Sequence, residues 1–444
     1  MNNVKNVKED KMRTRLLCLV VFVLIMSMVA VSPFIGCKAA AAEKKVVTFQ
    51  GWVRNSFPDY AAQMEKNFET AYPDIDLQFR DLSYEDTFRQ LVLNCTGGTP
   101  PDLAYVDPSM LPPLYSIGAI GDITAYLTPQ LVDNMMMKEA HTINGVLVGA
   151  CWEPTPYAFF SNKVLLKKAG YDAPPQSIAE VAEMAKAVAN LGVAESGNMV
   201  WGLCIAGKRA IHLSYLFAPW LFNFGGEFID SSGKAAINSP EAVACFKWFK
   251  DLYDHDGALG PTPIDRETPR QMFAHNELAM QGEGSWQRGL YREMSGQGEA
   301  FDDCWWVTPY PSLTPGKWGK SIGYSQSLAV PTGAKHKEEA KLLLQFLLSD
   351  SETAEFMFKT QGMTPGQINM VSKEVYQQSE YTKTFLMQST IGGKLPYGVH
   401  AENSATLFSL FGAAWEDIII QGANIKSRLD QLARDFDIAN GELE

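Results

Sequence analysis

The chain has 444 residues, enough for two or three domains, because single hydrophobic cores stop growing beyond roughly 250–300 residues. Hydrophobic residues make up 46% and charged residues 20%, which is the balance of an ordered globular protein and excludes a disordered chain. Formal net charge is −12 and the body has no cluster of Lys and Arg, so it lacks the footprint of a nucleic-acid binder.

The first element in chain order is a leader. Residues 1–15 are polar and net basic, with Lys5, Lys8, Lys11, Arg13 and Arg15 against Glu9 and Asp10. Leu16 to Ile35 follows as twenty residues without a charge, and then Gly36 and Cys37. This is the order of a secretory signal over residues 1–36: basic start, apolar middle, small residue before the cut. An uncleaved membrane anchor fits the same apolar length, and both readings place the body outside the cell. Phe34-Ile35-Gly36-Cys37 resembles the bacterial lipobox, with Phe34 where Leu is usual. The resemblance implies a lipidated Cys37, a membrane tether of at least two acyl chains, and a short linker over 37–45.

Past the linker, Lys45–Val53 reads as a strand of β-branched and aromatic residues. Phe57–Tyr72 reads as a helix stopped by Pro73. Ile75, Leu77 and Phe79 alternate with polar residues as in a half-buried strand. A helix to about Asn94, a GGTPP break and the short strand Asp102–Asp107 follow. Strand–helix–strand–helix–strand predicts a parallel sheet covered by helices. Farther on, Ser177-x-x-Glu180 predicts a capped helix to Leu191, and Ser239-Pro240-Glu241 another to near Gly257. Glu338–Leu348 reads as helix, Ser349 as the cap of the next, and the tail from about Thr406 as helix to the end. Cys95, Cys151, Cys204, Cys245 and Cys304 are widely spaced without C-x-x-C. Zinc has no ligand spacing, and free buried thiols are expected for most of them.

Several segments in order carry a further likeness. They are Gly98–Tyr126, with its Pro101-Asp102 before an apolar strand, Gly149–Gly170, with Asn162-Lys163 after a strand, and Gly225-Gly226-Glu227 followed by Asn238–Ala242. Ala279-Met280 through Ser285-Trp286, and Gly323-Tyr324-Ser325 before Leu328–Lys335, complete the set. The chain departs from the pattern at Ser161, where Tyr is usual, and lacks the usual Trp near Ser177. The joint order resembles the extracellular solute-binding proteins of family 1, the capture components of ABC sugar importers, related to maltodextrin-binding protein. The resemblance implies an α/β, two-lobe periplasmic-binding-protein-like fold of type II with C-terminal helices. Its lobes would be discontinuous: 46–150 plus about 309–364, and about 151–308 plus 365–444. Crossings are expected near Cys151, Thr308–Pro311 and Met363–Gly366.

A sugar offers C–H faces to aromatic rings and hydroxyls to planar polar groups. In open α/β sheets the ligand lies beyond the carboxyl ends of strands. Trp52, Arg54, Asp107, Ser109, Trp152, Glu153, Tyr215, Trp220, Trp286 and Tyr324 fall at such ends and are the expected ligand contacts. Tyr397 and Trp415 stand behind them, while Trp201, Trp248 and Trp318 read as packing. The expectation is a carbohydrate-binding monomer that serves a permease, with no cofactor, no metal and no catalysis. Alternatives remain open: a glycan hydrolase using Asp107 and Glu153 as its carboxylate pair, or the same fold holding a polyamine, glycerol phosphate or a peptide. No H-E-x-x-H, G-x-S-x-G or Walker A pattern occurs.

Overall fold

The β-branched run after the linker forms strand β1, Lys45–Gly51, and the alternating segment forms β2, Ile75–Asp81. With β3, Leu103–Val106, they pair in parallel, β1 at the centre. The structure is a computed structural model that describes residues 44–230, 232–391, 393, 395–397 and 403–441. The leader, Cys37 and most of the linker lie outside the described residues.

Each connection in this first sheet is a helix. Pro58–Ala71 starts with proline at its first position, where no backbone N–H is needed. Tyr84–Thr96 is capped by Ser83, whose Oγ accepts from Asp86 N at 3.1 Å. A small hairpin follows, β4 (Thr142–Ile143) and β5 (Val146–Leu147), closed by Asn144 and Gly145, both at positive φ. Then come β6, Ala150–Pro154, and β7, Ala158–Asn162. β8 (Trp201–Cys204), β9 (Leu278–Glu283) and β10 (Trp305–Thr308) join β7 in a second sheet of order β10-β7-β9-β8. β11, Ser325–Ala329, returns to the first sheet and runs antiparallel between β3 and β6, giving the order β2-β1-β3-β11-β6.

The first crossing therefore lies at Thr155–Tyr157, a few residues beyond the boundary expected at Cys151, because Glu153 and Pro154 are still paired with Gln326 and Ser325. The second spans 309–324 and is tied to the first. Thr155 N donates to Tyr324 O at 3.0 Å, and Ser321 Oγ to Tyr157 O at 2.7 Å. At 363–366 a third segment packs on β6, just before the first crossing. Gly366 N donates to Trp152 O at 2.6 Å, and a Cβ at Gly366 would run into Cys151 O.

Asp102 fastens the first sheet. Its buried carboxylate accepts from Thr48 N (2.9 Å), Thr48 Oγ1 (2.8 Å), Lys335 N (3.1 Å) and His336 N (2.9 Å). Burial alone would raise its pKa, but the bonds from His336 and Thr48 outweigh that and hold it below the usual range.

Ser177 and Ser239 cap their helices as expected, accepting from Glu180 N and Ala242 N, each at 3.2 Å. The second of these helices stops at Tyr253 rather than near Gly257. Ser349 does not cap the helix Ser351–Gln361. Its Oγ donates back to Gln345 O, and Asp350 Oδ2 accepts from Thr353 N at 2.9 Å instead. The tail is not one helix. Ser404–Trp415 passes through a π-turn, breaks at Gly422 with φ 74°, and restarts as Ile425–Ala439 under an Asn424 cap. The five cysteines after the linker are all free thiols, and Cys151, Cys204 and Cys245 are buried.

Candidate functional site

β3 ends at Asp107, where the chain turns into a short 3-10 segment, Pro108–Met110. That turn folds Ser109 back on the carboxylate. Asp107 Oδ1 accepts from Ser109 N at 2.7 Å and from Ser109 Oγ at 2.5 Å, and Oδ2 accepts from Tyr84 OH. Asp107 is fully buried, and burial pushes its pKa up despite these donors. Tyr84 opens the second helix of the first sheet, and its ring stands edge-on to Trp52, centroids 5.1 Å apart. Trp52 in turn packs against Tyr105 at 4.2 Å.

The opposite wall comes from the second sheet and its helices. His212 and Tyr215 lie on the helix Ala210–Phe224, and the His212 ring faces Tyr84. Burial lowers the His212 pKa to about 3, helped by Arg266, Arg270 and Arg209, so the ring is neutral. Tyr215 packs on Tyr324 (5.6 Å), and Tyr324 on Tyr157 (6.1 Å) and Trp286 (6.3 Å). The Arg266 guanidinium lies 5.3 Å from both the Tyr157 and the Trp286 ring centroids. Its Nη2 donates to Glu283 Oε2 (2.7 Å) and Tyr157 OH (3.0 Å), its Nε to Glu283 Oε1 (3.2 Å). Arg270 Nε donates to the same Oε1 at 2.9 Å. Burial would raise the Glu283 pKa, yet Arg266 and Arg270 bring it down to about 2.

Six of the expected residues fall in the two facing walls: Trp52, Asp107, Ser109, Tyr215, Trp286 and Tyr324. Four do not. Arg54 lies over the Phe79 ring at 4.0 Å and pairs with Glu65, more than a third exposed. Trp152 stacks on Tyr60 and donates from Nε1 to Leu347 O at 3.1 Å, inside the core of the first sheet. Its neighbour Glu153 accepts from Tyr60 OH at 3.3 Å, while Oε2 has no partner, and burial pushes its pKa up to about 8. Trp220 stacks on Trp248 at 5.0 Å and packs edge-on to Phe159. The two reserve candidates are also buried: Tyr397 bonds Ser214 Oγ at 3.0 Å, and Trp415 Nε1 donates to Thr262 Oγ1 at 3.2 Å.

Tyr84, Tyr157, His212, Arg266, Arg270 and Glu283 were not anticipated. Glu283 stands in Gly282-Glu283-Gly284-Ser285, and its arginine partners lie 13 and 17 residues away, beyond any local signal. Two surface cavities of about 360 and 440 Å3 share Phe222, Gly225, Lys320 and Ile391 in their walls and involve none of the clustered side chains. The cluster itself is closed, with Trp52, Tyr215 and Tyr324 each at most 4% exposed. Among the described residues no group of three His, Cys, Asp or Glu side chains could hold a metal, and no helix is long and apolar enough to cross a membrane. Chemically, the arrangement offers ring faces and edges, hydroxyls, one held carboxylate and one held guanidinium around a seam between two sheets.

A relative from Brucella abortus (strain 2308), named as a binding protein, is 24% identical over 343 residues, covering 74% of this chain and 79% of its own length. Among solved structures, the GacH receptor of Streptomyces glaucescens GLA.O, determined unliganded and with acarbose, superposes with a TM-score of 0.77. It is 17% identical and the match covers 90% of this chain and all of that one. An ABC transporter solute-binding protein from Thermotoga lettingae TMO, bound with alpha-D-tagatose, gives 0.78 at 19% identity, with 90% and 100% covered. These two likenesses carry the two-lobe fold. The family model for bacterial extracellular solute-binding proteins matches residues 51–354, most of the chain and both sheets, and the chain belongs to that family.

Proposed function

We propose that this protein captures a carbohydrate between its two lobes and delivers it to the permease of an ABC importer. The observation that carries the reading is the seam from Trp52 and Tyr84 through His212, Tyr215 and Tyr324 to Trp286, with Asp107 and Ser109 beside it. Aromatic rings suit the C–H faces of a sugar, and a carboxylate already fixed by Ser109 and Tyr84 suits its hydroxyls. The acarbose complex of GacH and the tagatose complex from Thermotoga lettingae support the same ligand class. Trp52, Asp107, Ser109, Tyr215, Trp286 and Tyr324 are the proposed contacts, joined by Tyr84, His212 and Tyr157. Closure makes contacts between the walls that opening breaks, so a ligand held by both walls shifts the population to the closed state.

Capture requires no turnover. Asp107 and Glu153 hold separate partners, Tyr84 and Ser109 for one and Tyr60 for the other, which favours binding over paired-carboxylate hydrolysis. The lipobox resemblance at Cys37 supports a protein tethered on the outer face of the membrane, near its permease. A thermal-shift screen of the purified chain over mono- and oligosaccharides tests the reading. A saccharide that raises the melting temperature without being cleaved is the expected result. A flat response to every saccharide, or release of cleaved product, overturns it. For the tether, Cys37→Ala should release the protein from the membrane fraction into the medium; full retention would remove the lipid.

A further inference from the structure

Arg54 was the one basic side chain expected near the ligand, and it points to Glu65 and Phe79 instead. A different guanidinium takes that place. Glu283 is 1% exposed and accepts from two arginines, Arg266 and Arg270. One buried carboxylate thus faces two cations. Glu267 also pairs with Arg270, but that carboxylate is 59% exposed and screened by solvent. The buried trio keeps an excess of positive charge, which is costly in a low-dielectric setting unless an anion answers it.

That excess is delivered to the cleft through Arg266. Its Nε and Nη2 donate to Glu283 and Tyr157, so Nη1 carries the donors not committed to these two partners. The rings of Tyr157 and Trp286 hold the plane of the guanidinium in place. Asp107 stands on the facing wall, at the end of β3. Tyr324 packs on Tyr215 and on Tyr157 and Trp286, the two rings that flank Arg266. The site is therefore dipolar: a carboxylate with fixed donors on one wall, a guanidinium on the other, aromatic rings between.

Resting on the carbohydrate reading, we infer that the preferred ligand is a sugar bearing an anionic group, carboxylate or phosphate, with that group at Arg266 and its hydroxyls at Asp107. The two N–H groups of Nη1 can donate to either group, and charge-assisted bonds of this kind are about twice as strong as neutral ones.

The test compares matched pairs on the wild-type protein by calorimetric titration: glucuronate with glucose, galacturonate with galactose, and glucose 6-phosphate with glucose. At least one anionic member should bind about tenfold or more tightly than its neutral partner. The carboxylate and phosphate arms separate the two sources of charge. Arg266→Gln should bring the ratio in the responsive pair towards one, and Arg266→Lys should restore only part of it, since the charge returns without the bonds that fix the guanidinium on Glu283 and Tyr157. Neutral sugars binding as well as or better than every anionic partner would overturn the inference and leave the carbohydrate reading intact. Binding by no member of any pair, together with a flat saccharide screen, would overturn both. The wild-type comparison decides the matter even if the Arg266 variants fail to fold.

Discussion

Tyr84 and His212 face each other across the two halves of the molecule, ring centroids 6.4 Å apart and planes 28° from parallel. Tyr84 begins a helix that covers the first sheet, and His212 lies on a helix that belongs with the second. The same Tyr84 hydroxyl is bonded to Asp107, so one ring joins the meeting of the lobes to the orientation of the central carboxylate. Tyr84→Phe keeps the ring and removes the donor. It should weaken ligand binding by roughly fivefold to tenfold, about 1 kcal/mol, with little change in melting temperature. Calorimetric titration beside a melting curve checks this, and unchanged affinity would detach Tyr84 from ligand capture.

Trp152 and Trp286 should respond in opposite ways. Trp152 is buried with Tyr60, Phe49 and Tyr105, so Trp152→Ala should cost about 3–5 kcal/mol of stability. Trp286 stands beside Arg266 and Tyr324, so Trp286→Ala should chiefly lower affinity. Denaturant midpoints and binding isotherms on both variants separate the roles. Equal losses of affinity would contradict the assignment.

His141 makes stability depend on acid. It is fully buried, its Nδ1 beside Met137 O at 3.0 Å and its Nε2 beside Ser327 Oγ at 2.8 Å. Burial lowers its pKa to about 4 from an ordinary 6.5. The folded state favours the neutral ring, so its contribution is complete above pH 6.5 and is lost as pH falls through about 4. The loss amounts to at most about 3 kcal/mol. Urea unfolding of wild type and His141→Gln at pH 7, 5.5 and 4.5 measures it. The variant should have the shallower acid slope, and an unaltered slope would assign the effect elsewhere.

Glu153 acts at the alkaline end. Its pKa is raised to about 8 by burial, so the folded state favours the protonated form. Its contribution is complete below the ordinary 4.5 and is lost as pH rises through about 8. Glu153→Gln keeps an acceptor for Tyr60 and cannot ionise. Its melting temperature should exceed that of wild type at pH 9 and approach it at pH 5. A variant that melts lower than wild type at pH 9 would show that the carboxylate is wanted there.

Arg270→Gln should be costly. It leaves Glu283 with Arg266 as its one guanidinium partner among those described and removes a charge-assisted bond worth about 1.5–3 kcal/mol. The denaturant midpoint should fall at constant slope. A loss below about 1 kcal/mol would mean that solvent reaches the trio.

Much of the fold was legible because its signals are local. Period-2 alternation at Ile75 and Leu77 and the serines at 177 and 239 each act within a few residues. The antiparallel placement of β11 between β3 and β6 has no local sign; the family resemblance implied only that residues 309–364 join the first lobe. The site divides in the same way. Asp107 and Ser109 could be read because a strand end and the turn after it are adjacent in sequence. Trp152 and Glu153 also end a strand, but sequence does not say which side chains face the cleft and which the core, and these two face Leu347 and Tyr60. Arg266 meets Tyr157 across 109 residues, a pairing that only the assembled sheet creates.

The Asp102 carboxylate, by gripping residues 48, 335 and 336 at once, also sets a timetable. A chain emerging N-terminus first brings out β1, β2 and β3 long before β11 arrives to separate β3 from β6. Until then β3 presents an unpaired edge and Asp102 lacks half its donors. Completion of the first lobe waits for residue 336, so the nascent protein has a long interval in which that edge is open to wrong partners. Any helper that holds the chain unfolded during its passage would be needed most before β11 emerges.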